Sequence, residues 1–482
     1  MSSDIVRQLD HIFRPKSFAV IGASNDPRKW GQWMVERPLT TGFKGAIYPV
    51  NPRESTIVGL PAYKSVLDIP YEVETAVITV PTAAVPEVMR ECVAKGIKGV
   101  ILISAGFAEV GEEGAAYQEE VLRIAQEGGI RFIGPNCMGV WNASAHFCLA
   151  LAQAPLAGGI SFVSQSGSFG AQLTHVATAR GYGTNKFISI GNQADVSVAD
   201  LLDYLAEDED TKVIVLYLEG MSQGKRFLEA ARRATLKKPI VVYKAGRTTA
   251  GARAASSHTA SLAGTDQLFD ALCRQTGMIR AYEAFHLFHM AEALVSQPIP
   301  EGNRIGIVMG GGGQCVVTAD FSAAIGLEVP EFDPDTQAEL RKEFSPHDPL
   351  PRNPVDLGAP GGVRTITAAR IATLVERIAQ VDYIDGIVTN VPGGVDMGRG
   401  FSTVGLRAAI DAAEMMSTVP ERYGKPIIAR AWRWANGGVA EDIFKAARIP
   451  IYETSEECAW AMYALAKYGE VLRRLGCHGD GC

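Results

Sequence analysis

The sequence has no long uninterrupted run of apolar residues, no block of like charges and no apolar leader at its start. A membrane-spanning helix needs about 20 consecutive apolar residues, so none is predicted. The net charge of −7 is spread over 482 residues, which argues against nucleic acid as the main partner. Residues Met1 to Asp4 lack the basic start of a secretory signal peptide. These absences favour a cytoplasmic protein.

Cysteine is sparse, with eight residues scattered through the chain. In a chain of this size they are expected to be free thiols in a reducing compartment. Metal-ligand spacing is also missing, since His286 and His289 lie three residues apart without a recognisable third ligand. The sequence therefore predicts no disulfide framework and no metal site.

The length of 482 residues exceeds what one hydrophobic core usually supports, so several domains are expected. Apolar, β-branched runs alternate with helical stretches in three successive parts of the chain. Many of these runs end in Gly, Pro or Asn, which is typical of parallel sheets with helices on both faces. We predict an α/β fold of three consecutive parallel-sheet units, at residues 1–145, 146–297 and 303–475.

The first turn of the first unit runs from Gly22 to Gly31 and follows a predicted strand. It lacks the G-x-G-x-x-G pattern of dinucleotide-binding domains. Such a turn still presents backbone N–H groups at a helix N-terminus, and Lys29 adds a positive charge. A phosphate-containing ligand is therefore expected beyond this strand, where parallel sheets bind their ligands.

Polar residues follow several predicted strands of the second unit. The turn Ser164–Gly167 opens a helix, whose free N–H groups can bind an anion, and Glu219 ends another strand. The strand at 239–244 leads toward His258, and the carboxyl ends of parallel strands share one edge of the sheet. A carboxylate bonded to one imidazole nitrogen leaves the other nitrogen free to attack. Taken singly, the turn could be an ordinary helix cap and Glu219 a surface carboxylate.

His258 lies in a stretch of small residues, 253–264, between a predicted strand and a predicted helix. Ala, Ser, Thr and Gly carry little apolar area, so this stretch is expected to be a mobile loop rather than part of a core. A mobile loop suits a side chain that must travel between two sites. The alternative is a surface loop with an incidental histidine.

The stretch Ser256–Gly264 (SSHTASLAG) resembles the phosphohistidine loop of the NDP-forming acyl-CoA synthetases, which are relatives of succinyl-CoA synthetase. Five turns of the first unit, at 22–24, 51–52, 80–81, 104–107 and 134–139, resemble the CoA-binding domain of that family, and Asn353–Asp356 matches its third domain. The resemblance implies a Rossmann-like CoA-binding domain followed by two flavodoxin-like CoA-ligase domains.

The resemblance also assigns the site residues. His258 and Glu219 would be catalytic, and Ser164, Gln165, Ser166 and Gly167 would bind phosphate. CoA would lie along the strand ends of the first unit, with its phosphates near Lys29 and its pantetheine arm near the loops of Ser104 and Asn136. The implied CoA-binding residues are Gly22, Ala23, Ser24, Lys29, Asn51, Pro81, Ser104, Ala105 and Asn136.

The implied activity is that of an α subunit of an NDP-forming, and in particular ADP-forming, acyl-CoA synthetase. It interconverts acid, CoA and ATP with acyl-CoA, ADP and phosphate, through an acyl phosphate and a phosphohistidine. The sequence shows no ATP-grasp module, so ATP and Mg²⁺ are expected on a separate β subunit, in a heterotetramer. The acid and the choice between ADP and GDP stay open.

Two other classes of function compete with the acyl-CoA synthetase. A non-catalytic CoA-sensing or acyl-CoA-sensing module is disfavoured because both His258 and Glu219 are present. An NAD-dependent oxidoreductase is disfavoured because the dinucleotide fingerprint is missing.

Overall fold

The computed structural model describes residues 2–221, 223–259, 266–346, 348–358, 368–392, 403–431 and 438–476. The chain divides into two compact units, at residues 1–285 and 286–482. The first unit holds two large sheets and the second holds one. No helix in the described ranges has the length and apolar character needed to cross a membrane.

The first sheet contains five parallel strands in the order β2-β1-β5-β6-β7. Strands β1, β5 and β6 are buried throughout, as expected for central parallel strands covered on both faces. A short hairpin, β3-β4, follows β2. The elements are α1 (Ser2–Phe13), β1 (Ser17–Ile21), α2 (Trp30–Thr40), β2 (Ala46–Val50), β3 (Thr56–Ile57), β4 (Leu60–Pro61), β5 (Thr75–Ile78), α3 (Val85–Lys95), β6 (Gly99–Leu102), α4 (Glu112–Glu127) and β7 (Arg131–Ile133).

The second sheet has seven strands in the order β14-β13-β12-β10-β11-β8-β9. Its first five strands in that order are parallel. At one edge, β8 pairs antiparallel with β11, and β9 pairs antiparallel with β8. The elements are β8 (Gly139–Asn142), β9 (Phe147–Cys148), β10 (Ile160–Ser164), α5 (Gly167–Ala179), β11 (Thr184–Ser189), α6 (Val198–Glu207), β12 (Val213–Leu218), α7 (Gly224–Lys237), β13 (Ile240–Lys244), α8 (Thr249–Thr259), α9 (Asp266–Thr276) and β14 (Ile279–Arg280).

The third sheet, in the second unit, has five parallel strands in the order β16-β15-β17-β18-β19. Its longest helix is capped at Thr454, whose hydroxyl accepts from the Glu457 amide while the Glu457 carboxylate accepts from the Thr454 amide. The elements are α10 (His286–Ser296), β15 (Ile305–Met309), α11 (Gly312–Ala324), α12 (Pro334–Arg341), β16 (Val355–Asp356), α13 (Ala368–Ala379), β17 (Gly386–Asn390), α14 (Thr403–Ser417), α15 (Val419–Tyr423), β18 (Ile427–Arg430), α16 (Val439–Ala446), β19 (Ile451–Tyr452) and α17 (Ser455–Arg474).

The prediction of an α/β fold with several parallel sheets is confirmed. The chain passes from one sheet to the next at positions that differ from the predicted boundaries. Residues 139–142 supply β8 to the second sheet, although the sequence assigned residues up to 145 to the first unit. Helix α10 packs against α17 in the second unit, although the sequence assigned it to the middle unit.

The segment around His258 differs from the predicted loop. Residues 249–259 form α8, so the small-residue stretch is helical as far as Thr259. Alanine has the highest intrinsic helix propensity, and the Thr248 hydroxyl accepts from the Gly251 amide at 3.1 Å in the first turn. The remaining part of the predicted loop, 260–264, lies outside the described residues.

Candidate functional site

A cavity of about 830 Å³ opens in the first unit at the carboxyl ends of its two sheets. Loops that follow β6 and β7 form one wall, and loops that follow β10, β11 and β12 form the other. The cavity therefore stands where open α/β sheets bind ligands. It is lined by Trp30, Thr79, Ile103, Ser104, Ala105, Ala108, Glu109, Gln118, Asn136, Cys137, Met138, Gln165, Ser166, Gly167, Ser168, Gly191, Asn192, Gln193, Gly220 and Met221.

The predicted phosphate turn lies on this cavity. Helix α5 begins at Gly167, and its N-cap residue Ser166 makes no side-chain capping hydrogen bond. The Ser164 hydroxyl is instead turned inward and donates to the Ser166 carbonyl at 2.7 Å. The first N–H groups of α5 are therefore not capped by Ser166, beside a cavity that Ser166, Gly167 and Ser168 line. This geometry suits a phosphate.

Gln165 joins the phosphate turn to the end of β12. Its Oε1 accepts from the backbone amides of Glu219 and Gly220, the latter at 3.0 Å. Its Nε2 donates to the Gly220 carbonyl at 2.8 Å. The side chain is 8% exposed, so these bonds are shielded from water. Gln165 thus fixes the strand end that carries Glu219 against the turn.

Glu219 is buried at the end of β12, and its neighbours Gly220 and Met221 line the cavity. Burial raises the pKa of Tyr217, and the negative charge of Glu219 raises it further. The next strand, β13, pairs with β12 through Lys244 opposite Leu218. It leads into α8, whose last turn holds the backbone of His258. Because the His258 side chain lies outside the described residues, its contact with Glu219 stays a prediction.

The predicted CoA-phosphate turn is compact. Gly22 has φ +91°, and a Cβ on Gly31 would lie 2.0 Å from the Gly22 carbonyl oxygen, so the start of α2 packs directly on the turn. The Asn51 side chain donates to the Ala23 carbonyl at 2.8 Å. The Ser24 hydroxyl accepts from the Asp26 amide at 3.1 Å.

Lys29 is the exposed N-cap residue of α2, at the mouth of this turn. Pro81 precedes a short 3₁₀ turn after β5. The structure therefore brings Gly22, Ala23, Ser24, Lys29 and Asn51 together, but none of them lines the cavity.

Three of the predicted CoA residues, Ser104, Ala105 and Asn136, do line the cavity together with the phosphate turn. The Ser104 hydroxyl donates to the Val80 carbonyl at 2.5 Å, and the backbone N–H of Asn136 donates to the Ser104 carbonyl at 2.9 Å. The sequence alone does not show that these loops meet the phosphate turn, whereas the cavity that they share does.

Several lining residues were missed by the sequence analysis as site residues, including Trp30, Glu109, Gln118, Met138 and Met221. Glu109 is the only charged residue among the described residues that line the cavity. Burial disfavours its ionisation, but hydrogen bonds from Asn192 and the Gly106 amide outweigh burial and hold the pKa of Glu109 below its usual range. The available signal was its position just after the Ser104–Phe107 turn.

Cys137 lines the cavity but is not a candidate nucleophile. Its thiol donates to the Leu102 carbonyl at 3.3 Å, and burial raises its pKa to about 12. A thiol with such a pKa is not ionised at neutral pH. Across the described ranges, no group of three or more His, Cys, Asp and Glu side chains could hold a metal ion.

Two family models match consecutive parts of the chain. The model described as a CoA binding domain matches residues 16–143, and the model described as a succinyl-CoA ligase like flavodoxin domain matches residues 157–294. The junction between the two matches falls within the loops and strands that separate the first sheet from β10.

Curated relatives extend the similarity over nearly the whole chain. The chain is 39% identical over 460 residues to the α subunit of ADP-forming acetate–CoA ligase II of Pyrococcus furiosus, covering 95% of this chain and 97% of that relative. It is 43% identical over 356 residues to ADP-forming acetate–CoA ligase II of Archaeoglobus fulgidus, covering 73% of this chain and 52% of that longer relative.

A solved structure shows the same architecture. The dinucleotide forming acetyl-coenzyme A synthetase 1 of Ca. Korarchaeum cryptofilum, solved in complex with phosphate and ADP, is 32% identical to this chain. The two superpose with a TM-score of 0.83 over 98% of this chain and 99% of the other.

Proposed function

The chain belongs to the ADP-forming acetate–CoA ligase family, and on that premise we propose that it is the α subunit of an ADP-forming acyl-CoA synthetase. The reaction interconverts a carboxylic acid, CoA and ATP with acyl-CoA, ADP and phosphate. One observation carries the proposal: a single cavity joins the Ser104 and Asn136 loops to the phosphate turn at Ser166 and Gly167. An acyl phosphate and a CoA thiol have to meet in such a place.

CoA fits the first sheet and the cavity as an extended ligand. The turn at Gly22–Ser24 and the exposed Lys29 would bind its phosphates, because backbone N–H groups and a lysine suit phosphate oxygens. Asn51 and Pro81 stand at the neighbouring strand ends. The pantetheine arm would then run toward Ser104, Ala105 and Asn136.

The phosphoryl group would travel through His258. A neutral imidazole nitrogen attacks the γ-phosphorus of ATP and ADP leaves, and Glu219 stabilises the ring that becomes charged. The carboxylate oxygen of the acid then takes the phosphoryl group from the imidazole. The CoA sulfur attacks the carbonyl carbon of this acyl phosphate, the carbon–oxygen bond to the phosphate breaks, and the phosphate takes up the thiol proton and leaves into the turn at Ser164–Gly167.

ATP and Mg²⁺ are assigned to a separate ATP-grasp β subunit, with which this chain would form a heterotetramer in the cytoplasm. The separate β subunit is supported by the names of two relatives, both of which are α subunits of ADP-forming acetate–CoA ligases.

The cavity favours acids with one carboxylate. Its described lining contains no Lys, Arg or His, and its one charged residue is Glu109. A second carboxylate on the acid would therefore meet a like charge and no counter-charge. Trp30, Met138 and Met221 add apolar wall to the same space. We assign monocarboxylic acids with an uncharged remainder as the substrate class.

Phosphoryl labelling tests the proposal. The chain, reconstituted with an ATP-grasp β subunit, should take up the γ-phosphoryl group of ATP as an acid-labile, base-stable adduct. His258→Ala should abolish both the label and turnover, and Glu219→Gln should lower labelling by roughly 10²–10⁴-fold, as for lost acid–base groups.

His175→Ala is the matched control, because this exposed histidine lies on α5 of the same unit and should leave labelling unchanged. An unlabelled wild-type chain that still binds CoA would instead support the sensing module. A melting temperature that rises with NAD and not with CoA would support the oxidoreductase.

A further inference from the structure

A network of carboxylate and amide side chains lies in the cavity wall and connects three loops. The Glu109 carboxylate accepts from the Gly106 amide through Oε1 and from Asn192 Nδ2 through Oε2, both at 2.6 Å. Asn192 Nδ2 also donates to Gln118 Oε1 at 3.0 Å. The Oδ1 of Asn192 accepts from Asn136 Nδ2 at 3.3 Å. The network links the loops after β6 and β7 to the loop after β11.

The carboxylate decides how both asparagine amides are turned. An ionised carboxylate accepts hydrogen bonds and donates none, so Asn192 must turn its NH₂ toward Glu109. Its carbonyl oxygen then faces Asn136 and uses one N–H of that side chain. One N–H of Asn136 and its Oδ1 remain for other partners, on a side chain that lines the cavity.

Asn136 lies beside the phosphate turn. A Cβ on Gly191 would stand 2.2 Å from the Pro135 carbonyl oxygen and 2.7 Å from that of Asn136. The Asn136 loop is therefore in direct contact with the loop that follows β11. A Cβ on Gly167 would stand 2.6 Å from Met138 Cγ. Asn136 has φ +59°, which an asparagine tolerates better than most residues. Asn136 is therefore two residues from Met138, which contacts the first residue of α5, and it lines the same cavity as that helix start.

We propose that Glu109 and Asn192 are positioning residues, which hold the Asn136 carboxamide so that its free N–H donates to the acyl carbonyl oxygen. This inference rests on the proposed function. When the CoA thiol attacks the acyl phosphate, that oxygen gains negative charge, and a preorganised donor stabilises it more than it stabilises the ground state. Asn136 touches the reacting group, whereas Glu109 and Asn192 act through it.

The position of the hydrogens suggests a reciprocal exchange as the test. Glu109→Gln keeps the size but replaces one acceptor oxygen by an NH₂ group, which must then face either the Gly106 N–H or the NH₂ of Asn192. Asn192→Asp alone places two carboxylates against each other. The double variant Glu109→Gln/Asn192→Asp exchanges the two groups, so the side chain at position 109 donates and the side chain at position 192 accepts. Its total charge and size match those of the wild type.

Each variant is assayed as the reconstituted complex, with kcat and KM for acid and CoA and with His258 labelling measured separately. Glu109→Gln should lower kcat for acyl-CoA formation by roughly 10–100-fold, the scale of a misplaced reacting group. Labelling by ATP should change less than about twofold, because the network does not include the phosphoryl acceptor. Asn192→Asp should lose at least as much, and the double variant should regain most of the activity.

Glu113→Gln is the matched control, an exposed glutamate in the first turn of α4 whose change should leave kcat unaltered. Normal kcat in Glu109→Gln, or a double variant no better than the worse single variant, would overturn the inference while normal labelling leaves the proposed function standing. Absence of labelling in the wild type would overturn the proposed function and, with it, this inference. A melting curve for each variant distinguishes loss of the fold from loss of positioning. Where a single variant lowers Tm, the double variant should restore it.

Discussion

Gln165 offers a direct test of how the phosphate turn is attached to the end of β12. Its amide makes three hydrogen bonds to the backbone of Glu219 and Gly220, and the side chain is 8% exposed. Gln165→Leu keeps a similar volume and removes all three bonds. Two backbone N–H groups and one carbonyl then lose their partner at the wall of the cavity.

The expected loss follows from the number of bonds. A buried hydrogen bond contributes about 1 kcal/mol net, and leaving its partner unsatisfied costs about 1–3 kcal/mol. Water in the cavity can satisfy part of the exposed backbone, and the leucine adds apolar burial of about 1 kcal/mol. The free energy of unfolding of the first unit should therefore fall by roughly 2–4 kcal/mol, or by roughly 5–10 °C in Tm.

Differential scanning calorimetry measures this change, and labelling of His258 measures its consequence for the site. Gln172→Leu is the control, because Gln172 is exposed on the same helix, α5, and its change should leave Tm within about a degree. Labelling should drop in Gln165→Leu, since Glu219 is no longer held. A variant with wild-type Tm and labelling would refute the role given to Gln165.

Two further predictions concern charge. Lys29→Glu should weaken CoA binding by roughly tenfold at low salt, and the difference should shrink in 1 M salt because surface charges are screened. Calorimetric titration measures the affinity, and Lys98→Glu, at the amino edge of the sheet, is the control. An equal loss of affinity in both variants would contradict the assignment. Burial raises the pKa of Glu292 to about 7, with Arg448 opposing the shift, so the stability of the second unit should fall as the pH rises from about 4.5 to 7, since the unfolded state releases its proton first. Glu292→Gln should remove roughly 1–3 kcal/mol of that fall and raise Tm at pH 8 but not at pH 4; parallel pH profiles of Tm would count against it.

The positions of most strands follow from local sequence. Runs such as Val213–Leu218 are β-branched and apolar, and they are buried throughout in the structure because helices cover both faces of the sheet. The exceptions are strands whose sheet membership depends on distant partners. Gly139–Asn142 pairs antiparallel with β11, about 45 residues later, and no local pattern specifies that partner.

The stretch around His258 shows the opposite limit. Small residues carry little apolar area, which predicted a loop, but a short alanine-rich segment can continue a helix once Thr248 caps its start. Propensity and burial point to different structures here. The sequence identified the histidine and its family context without giving the conformation of the backbone that carries it.

The sequence by itself determined the chemistry of the candidate site: a histidine in a recognisable motif, a carboxylate at a strand end, a turn that opens a helix, and a series of turns that resemble a CoA-binding domain. These are local features, set by residues close together in the chain. Only the tertiary structure decided that the Asn136 loop meets the Gly167 turn, that Gln165 holds the end of β12, and that Glu109 reaches Asn192. Those contacts join residues about 30 to 80 positions apart, and they exist because two sheets place their carboxyl ends around the same cavity.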